Sequence, residues 1–334
     1  MTAQEILRIK HPEWIFPQDL DAMKQKHRDL AKQWHPDVCK DKDAENVFQH
    51  VSHLYEEALK RLDEGHWGFS GILRLRAKSS SREWELRYHK KRTFELGEYY
   101  AGDTVVAYVL DEKHENLFYS GAKAIEALKY PSKKVEEECK RYLPHDCTQI
   151  PLDDGRFALV IEKTPDLLCL KDVVDHHGGN LHPTQAAWIL STLLNLSCYL
   201  WVSHLTHNDI SLETYFISPE HHSGALLGGW WYANPRGHTV TQIPARTFNY
   251  LPWKVKSTKK ASRLTDQELI KLVGREMLGS EFSKSPEALQ EWLREVSNES
   301  AVEAYDRWIN EVLPKSFGKR RFVKMDVNAD KLYR

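Results

Sequence analysis

No run of apolar residues in this chain approaches the roughly 20 that a membrane-crossing helix needs, and residues 1–10 lack the apolar core of a secretion signal. Both absences lead to the expectation of a cytoplasmic protein. An excess of charge of one sign is also missing. The 47 Lys and Arg balance 48 Asp and Glu, and the net of −1 excludes bulk electrostatic capture by nucleic acid or an anionic membrane. Neither partner is expected, and any such contact has to be local. The five cysteines (Cys39, Cys139, Cys147, Cys169, Cys198) are odd in number and without close pairs, so neither a disulfide framework nor a Cys-x-x-Cys knuckle is visible. They read as free thiols. Histidine is plentiful, but the doublets His176-His177 and His221-His222 stand among Gly and Ser with no second ligand pair at zinc spacing. They read as loop histidines, and no metal site is expected.

What is present is enough for two cores: 334 residues, 41% hydrophobic and 28% charged. From Leu20 to Trp34, apolar or semi-apolar side chains at Leu20, Met23, His27, Leu30, Ala31 and Trp34 follow the spacing of one helix face, with Asp19 as N-cap. Lys24, Arg28 and Lys32 fall at i, i+4 and i+8 and line up as an outward stripe. From Asp43 to Leu62 a second amphipathic pattern carries Val47, Phe48, Val51, Leu54 and Tyr55. The connector "HPDVCKDK" is short enough to make the two helices antiparallel neighbours. Pro36 has no N–H to donate and biases His35 away from helical backbone, which ends the first helix there.

The stretch "DEGHWGFSG", residues 63–71, is Gly-containing and irregular and marks a domain boundary. A strand over Ile72–Ala77, a turn at Ser79-Ser80-Ser81 and an extended run to Leu96 then suggest a solvated edge hairpin, locally basic but interrupted by Glu83 and Glu85. "TVVAYVL" (104–110) and "FALVIEK" (157–163) read as buried strands. A long apolar helix is expected from Pro183 to about His204, others after an N-cap at Ser285 and over 300–313.

Residues 1–66 resemble the J domain of DnaJ-type co-chaperones, on the basic helix "MKQKHRDLAKQW", the tripeptide "HPD" in the connector, and a following helix with Phe48 and Tyr55. The resemblance implies a small antiparallel all-α unit that docks on a DnaK-type chaperone and stimulates its ATPase. His35, Pro36 and Asp37 would be the stimulatory element, with Lys24, Lys26, Arg28 and Lys32 as the docking stripe. The Gly/Phe-rich and zinc-binding regions of full DnaJ proteins are absent, so any client must be bound by the rest of the chain.

Residues 86–334 resemble a divergent protein kinase, with a strand-rich lobe over about 86–165 and a helical lobe over about 166–334. Residues 67–85 are a linker or extra hairpin. "THNDISLETYFI" (206–217) is similar to the kinase catalytic loop through His207, Asp209 and Glu213. "FELGEYYAGDTVVAYVL" is similar to the first two strands with their glycine turn, keeping Gly97 and Gly102. "RLTDQELIKLVGREML" (263–278) is similar to the helix whose Asp, here Asp266, anchors that loop. Kinases hold their metal ions through an Asn and an Asp. Here Thr214 stands at the Asn position, Gly228-Gly229 stand where Asp-Phe-Gly would begin, and "ENLFYSGAK" offers Tyr119 or Ser120, not Lys, at the phosphate-pairing position.

The expectation is therefore a multi-domain chain, an all-α J domain plus an α+β bilobal kinase-like domain. It would act as a co-chaperone or adaptor that recruits a DnaK-type chaperone, its kinase-like part binding a client. On this reading it is not an enzyme: the kinase loop is vestigial, a pseudokinase, and no cofactor is expected. Two alternatives stand beside it: an atypical phosphotransferase, or a purely structural interaction protein of a phage or mobile element.

Overall fold

The computed structural model describes every residue except Lys10, His66, Phe69, Ser81, Pro131, Asp146, Arg320, Arg321 and Arg334. The boundary read at 63–71 and the turn at 79–81 thus include residues that lie outside the described ones.

Thr2 and Glu5 form a reciprocal capping box that opens α1 (Ala3–Leu7), a helix the sequence reading missed. Asp19 caps α2 (Leu20–Trp34) by accepting from the Ala22 N–H at 2.8 Å. A turn then leads to α3 (Ala44–Asp63). Met23, Leu30 and Trp34 of α2 pack against Val47, Val51 and Leu54 of α3, and Ile6 and Phe16 close the end of this core. Tyr55 stacks on His27 with ring centroids 4.0 Å apart. Arg61 is held between Glu13 (2.7 Å) and Glu57, which fixes the end of α3 to the chain before α2.

Strands β1 (Gly71–Arg76) and β2 (Glu83–Tyr88) form a two-stranded antiparallel sheet. The expected solvated edge hairpin is corrected here: Leu73, Leu75, Trp84 and Leu86 pack on Ala107, Val109, Ala158 and Val160 of the next sheet. Alternation puts those residues on one face and Arg74, Arg76 and Glu85 on the other, so the hairpin is a cover with a charged outer surface.

The second sheet contains β3 (Lys90–Phe94), β4 (Gly97–Ala101), β5 (Val105–Leu110), β6 (Cys147–Pro151) and β7 (Phe157–Glu162), all antiparallel, in the order β3-β4-β5-β7-β6. Helix α4 (Glu115–Glu126) and the short α5 (Lys133–Cys139) lie between β5 and β6 in the chain. Two expectations are corrected. "FELGEYYAGDTVVAYVL" runs from the end of β3 through β5, so it holds the second and third strands of this sheet. The Tyr119 or Ser120 expected at the phosphate-pairing position, and Lys123 after them, lie in α4, whose Leu117, Phe118, Gly121 and Ala122 are buried.

The chain leaves β7 through β8 (Leu168–Cys169) into the helical lobe: α6 (Leu170–His176), then α7 (Pro183–Val202), opened by His182 and Gln185 as a capping box with Pro at the first position. Short strands β9 (Leu205–Thr206), β10 (Tyr215–Ser218), β11 (Ser223–Leu226) and β12 (Asn234–Pro235) hold the loops that follow α7. Helices α8 (Ala245–Tyr250), α9 (Trp253–Thr258), α10 (Arg263–Leu278), α11 (Glu287–Arg294), α12 (Ala301–Arg307), α13 (Leu313–Phe317) and α14 (Ala329–Tyr333) complete it. The N-cap of α11 is Pro286, one residue beyond the expected Ser285, whose hydroxyl instead donates to the Glu281 carbonyl. Leu190, Leu193 and Leu194 of α7 pack against Leu269, Ile270 and Val273 of α10 in the lobe's core. His176 ends α6 and His177 caps it, so this doublet is not in a free loop. His222 is stacked between Trp188 and Phe322.

A five-stranded antiparallel sheet with a helix after its third strand, joined by one crossing to a lobe of helices, is a mixed α/β fold. No described helix is long and apolar enough to cross a membrane.

Candidate functional site

Two loops carry a His-x-Asp sequence. The first joins α2 to α3. His35 leaves the helix with φ −63 and ψ 128, an extended conformation of the kind that Pro36 imposes on the residue before it. The His35 carbonyl accepts the N–H of Val38 and of Cys39, which closes the turn. The Asp37 N–H donates to His35 Nδ1 at 3.2 Å, and the ring meets Phe48 edge-on at 5.5 Å. His35, Pro36 and Asp37 are all exposed, and the Asp37 carboxylate is 85% accessible.

Lys24, Lys26, Arg28 and Lys32 are exposed too, and none forms an ion pair with a described residue. Helix geometry divides them. At about 100° per residue, Lys24, Arg28 and Lys32 share one face, whereas Lys26 lies about 160° round the helix from Lys24, on the opposite flank of the buried Met23–Leu30–Trp34 stripe. The stripe therefore consists of three cations.

The second loop runs from His207 to Thr214, between β9 and β10. Asp266, four residues into α10, accepts the N–H of His207 at 2.9 Å and of Asn208 at 2.8 Å. Burial raises its pKa to about 7, against the opposing pull of those two donors. Asn208 takes the left-handed backbone, φ 65, which Asn tolerates better than most residues. Its amide donates to the Tyr232 carbonyl at 2.9 Å and its carbonyl accepts from Thr247 Oγ1 at 2.9 Å. Arg246 donates to the Ile210 carbonyl and pairs with Glu276 at 2.6 Å, tying the loop to α8 and α10.

His207 is fully buried, edge-on to Trp230 at 4.9 Å, and burial lowers its pKa to about 3. Its Nδ1 accepts the Asp209 N–H at 3.3 Å. Burial pushes the Asp209 carboxyl well above the usual carboxylate range; Glu213 and Glu95 add to the shift and Arg246 opposes it. Thr214 Oγ1 donates to the Asp209 carbonyl at 2.7 Å and accepts the Ser211 N–H at 2.9 Å, so its hydroxyl is engaged within the loop. Glu213 is exposed.

Gly228 and Gly229 lie directly on this loop. A Cβ at Gly228 would meet Tyr108 Oη at 2.4 Å, and one at Gly229 would meet Asp209 Oδ2 at 2.7 Å. The positions flanking Asp209 thus supply backbone and an engaged hydroxyl. The residues present do not fit the pair of metal ions that the kinase resemblance implies. Tyr108 projects from β5 towards the loop, with Trp231 at 5.0 Å, and Trp231 in turn stacks on Phe94 at 5.5 Å. Gly97 and Gly102 serve close backbone approaches: a Cβ would come 2.0 Å from the Val109 carbonyl oxygen at Gly97, and 2.6 Å from that of Arg87 at Gly102.

The structure brings His207, Asp209, Thr214, Gly228 and Gly229 together and leaves the His35 loop exposed in the separate N-terminal helical unit. The sequence reading missed Asn208, Tyr108, Arg246 and Thr247. Only Asn208 carried a local signal, an Asn between the two motif residues.

No family model matches the chain, and no curated protein matches it. Among solved structures the chain is similar to "Structure of vaccinia related kinase 3", with 16% identity, covering 71% of this chain and 89% of that one at a TM-score of 0.48. The expectation that this chain is not an enzyme is corrected at this point. The neighbour is a kinase by name, and metal ligands missing from the sequence pattern do not settle catalytic status. The J-domain resemblance of the helical unit receives no support from the comparisons.

Proposed function

We propose that the chain is a co-chaperone or adaptor: residues 1–66 dock on a DnaK-type chaperone and stimulate its ATPase, and the kinase-like domain binds a client protein. The observation that carries this reading is the exposure of His35, Pro36 and Asp37 together, at the turn between two antiparallel helices, beside the outward cations Lys24, Arg28 and Lys32. A positive stripe next to a rigid turn suits an acidic docking face, because complementary charge steers encounter and fixes register. The test is steady-state ATP hydrolysis by a purified DnaK-type chaperone with the full chain added. Stimulation by the wild type and none by His35→Gln supports the proposal; equal rates with both refute it.

A second reading, phosphotransfer at the His207–Thr214 loop, is favoured by one observation, the Asp266 carboxylate that fixes the loop backbone beside Asp209. It predicts a thermal shift with ATP and magnesium, and phosphate transfer abolished by Asp209→Asn. No shift with the nucleotide refutes it.

A further inference from the structure

The near-zero net charge of the chain conceals a strongly uneven distribution. Between Glu220 and Asp266 there is no Asp or Glu at all, while Arg236, Arg246 and Arg263 and four lysines fall in the same interval. The lysines, Lys254, Lys256, Lys259 and Lys260, are clustered on and just after α9, are exposed, and form no ion pair with a described residue.

Aromatic rings stand among them. Phe248 and Tyr250 of α8 are 57% and 43% exposed, and Trp253, the first residue of α9, is 81% exposed. The helices that carry these rings are anchored. Thr247 and Val255 are buried and anchor the two helices, and Arg246 bonds to Glu276 and to the Ile210 carbonyl. At about 100° per residue, Trp253 points almost directly away from Val255, so anchoring one presents the other. Lys256 Nζ lies 5.5 Å above the Phe248 ring, which places cation and aromatic face of the two helices in one surface.

We propose that the surface formed by Phe248, Tyr250, Trp253 and the lysines of α9 binds single-stranded nucleic acid. Exposed rings accept any base by stacking, and lysines outside ion pairs follow the phosphates. Two arguments favour this partner. Lysine is depleted at protein–protein interfaces, where aromatics and arginine dominate, so four lysines around the rings fit a phosphate backbone better than a protein face. Duplex would present its bases already stacked, and helices of six residues offer little to insert into a groove. The segment is local, as the overall charge balance requires of any such contact.

The test is fluorescence anisotropy of a labelled oligo(dT) of about 12 nucleotides titrated with the full chain over a salt series. Binding is expected to weaken with salt, with a log–log slope of about −3 if four lysines each neutralise one phosphate. Trp253→Ala is expected to weaken binding about tenfold. The double variant Lys254→Gln with Lys256→Gln should reduce the slope by about 1.4. All three side chains are exposed, and a melting curve equal to wild type separates lost binding from lost fold. No anisotropy change at the lowest salt, or equal binding by wild type and both variants, overturns the proposal. So does Trp253-dependent binding to an acidic peptide or to anionic phosphatidylglycerol vesicles without binding to oligo(dT).

Discussion

Gly229 and Gly237 allow one physical effect to be isolated. Their φ angles are nearly the same, +79 and +84, so alanine at either meets a left-handed penalty of about 1–2 kcal/mol, partly offset by the stiffer unfolded chain. Their surroundings differ. A Cβ at Gly237 meets nothing within 4 Å, whereas at Gly229 it would lie 2.7 Å from Asp209 Oδ2, 2.8 Å from His207 Cε1 and 3.0 Å from Asp209 Cβ. The carboxylate can rotate, but the His207 ring is wedged against Trp230, and the Asp209 Cβ moves only with its backbone. Overpacking of this kind adds about 1–3 kcal/mol. Gly237→Ala should therefore cost about 1 kcal/mol and Gly229→Ala about 2–4 kcal/mol. Urea denaturation followed by tryptophan fluorescence measures both, provided that the slopes with denaturant agree. Equal midpoints for the two variants would refute the argument that Gly229 is required by its contacts as well as by its backbone.

Asp266→Ala leaves the N–H groups of His207 and Asn208 buried without an acceptor, at about 1–3 kcal/mol each, and should speed hydrogen exchange at both amides relative to the rest of α10 and the loop. Arg61→Met abandons the largely buried Glu13 carboxylate and should destabilise the helical unit by about 3 kcal/mol, read as a lower melting temperature of that transition. The pH dependence has two opposed parts. His207, lowered from 6.5 to about 3, holds fewer protons folded than unfolded between those values, so its contribution is lost as pH falls; Asp266, raised from 3.8 to about 7, does the reverse. Their slopes are about 1.4 kcal/mol per pH unit each and opposite in sign from about pH 4 to 6.5, and the raised Asp209 carboxyl acts in the same direction as Asp266. Measured against wild type at each pH, His207→Gln should become relatively more stable as pH falls through that window and Asp266→Asn relatively less stable, as urea midpoints at several pH values would show.

Much of the fold was written locally. Asp19 capped α2, Pro36 ended it, the 3.6-residue pattern gave α3, and Asp266 fell in α10 facing the loop. Other local signals were present but misread. Thr2 and Glu5 are a capping box in three residues' spacing, and the apolar positions Leu117, Phe118, Gly121, Ala122 and Ile125 repeat every three to four residues, the pattern of a helix. What could not be read is contact across distance. Thr247 and Arg246 act on backbone about 40 residues earlier in the chain, and Leu73 and Leu75 gain their burial from the outer face of a sheet formed later. Side-chain alternation predicted that one face of the hairpin would be covered; it carried no information about what covers it.

The two His-x-Asp loops show why spacing alone does not assign a role. In each, the Asp N–H donates to Nδ1 of the His two residues before it, at 3.2 Å for His35 and 3.3 Å for His207. The same short sequence thus makes the same local turn, and in both the ring proton belongs on Nε2. Everything else differs through burial. His207 sits beneath Trp230, where a charge is expelled, and its loop is tied down by Asp266, Thr247 and Arg246. His35 rests one edge on Phe48 and leaves the other, with the Asp37 carboxylate, to solvent. The first pair faces solvent on both side chains, whereas in the second the His is buried and only the Asp209 carboxyl is partly accessible. Substituting His207 should accordingly register first in stability, whereas substituting His35 should leave stability unchanged and register only when a partner is present.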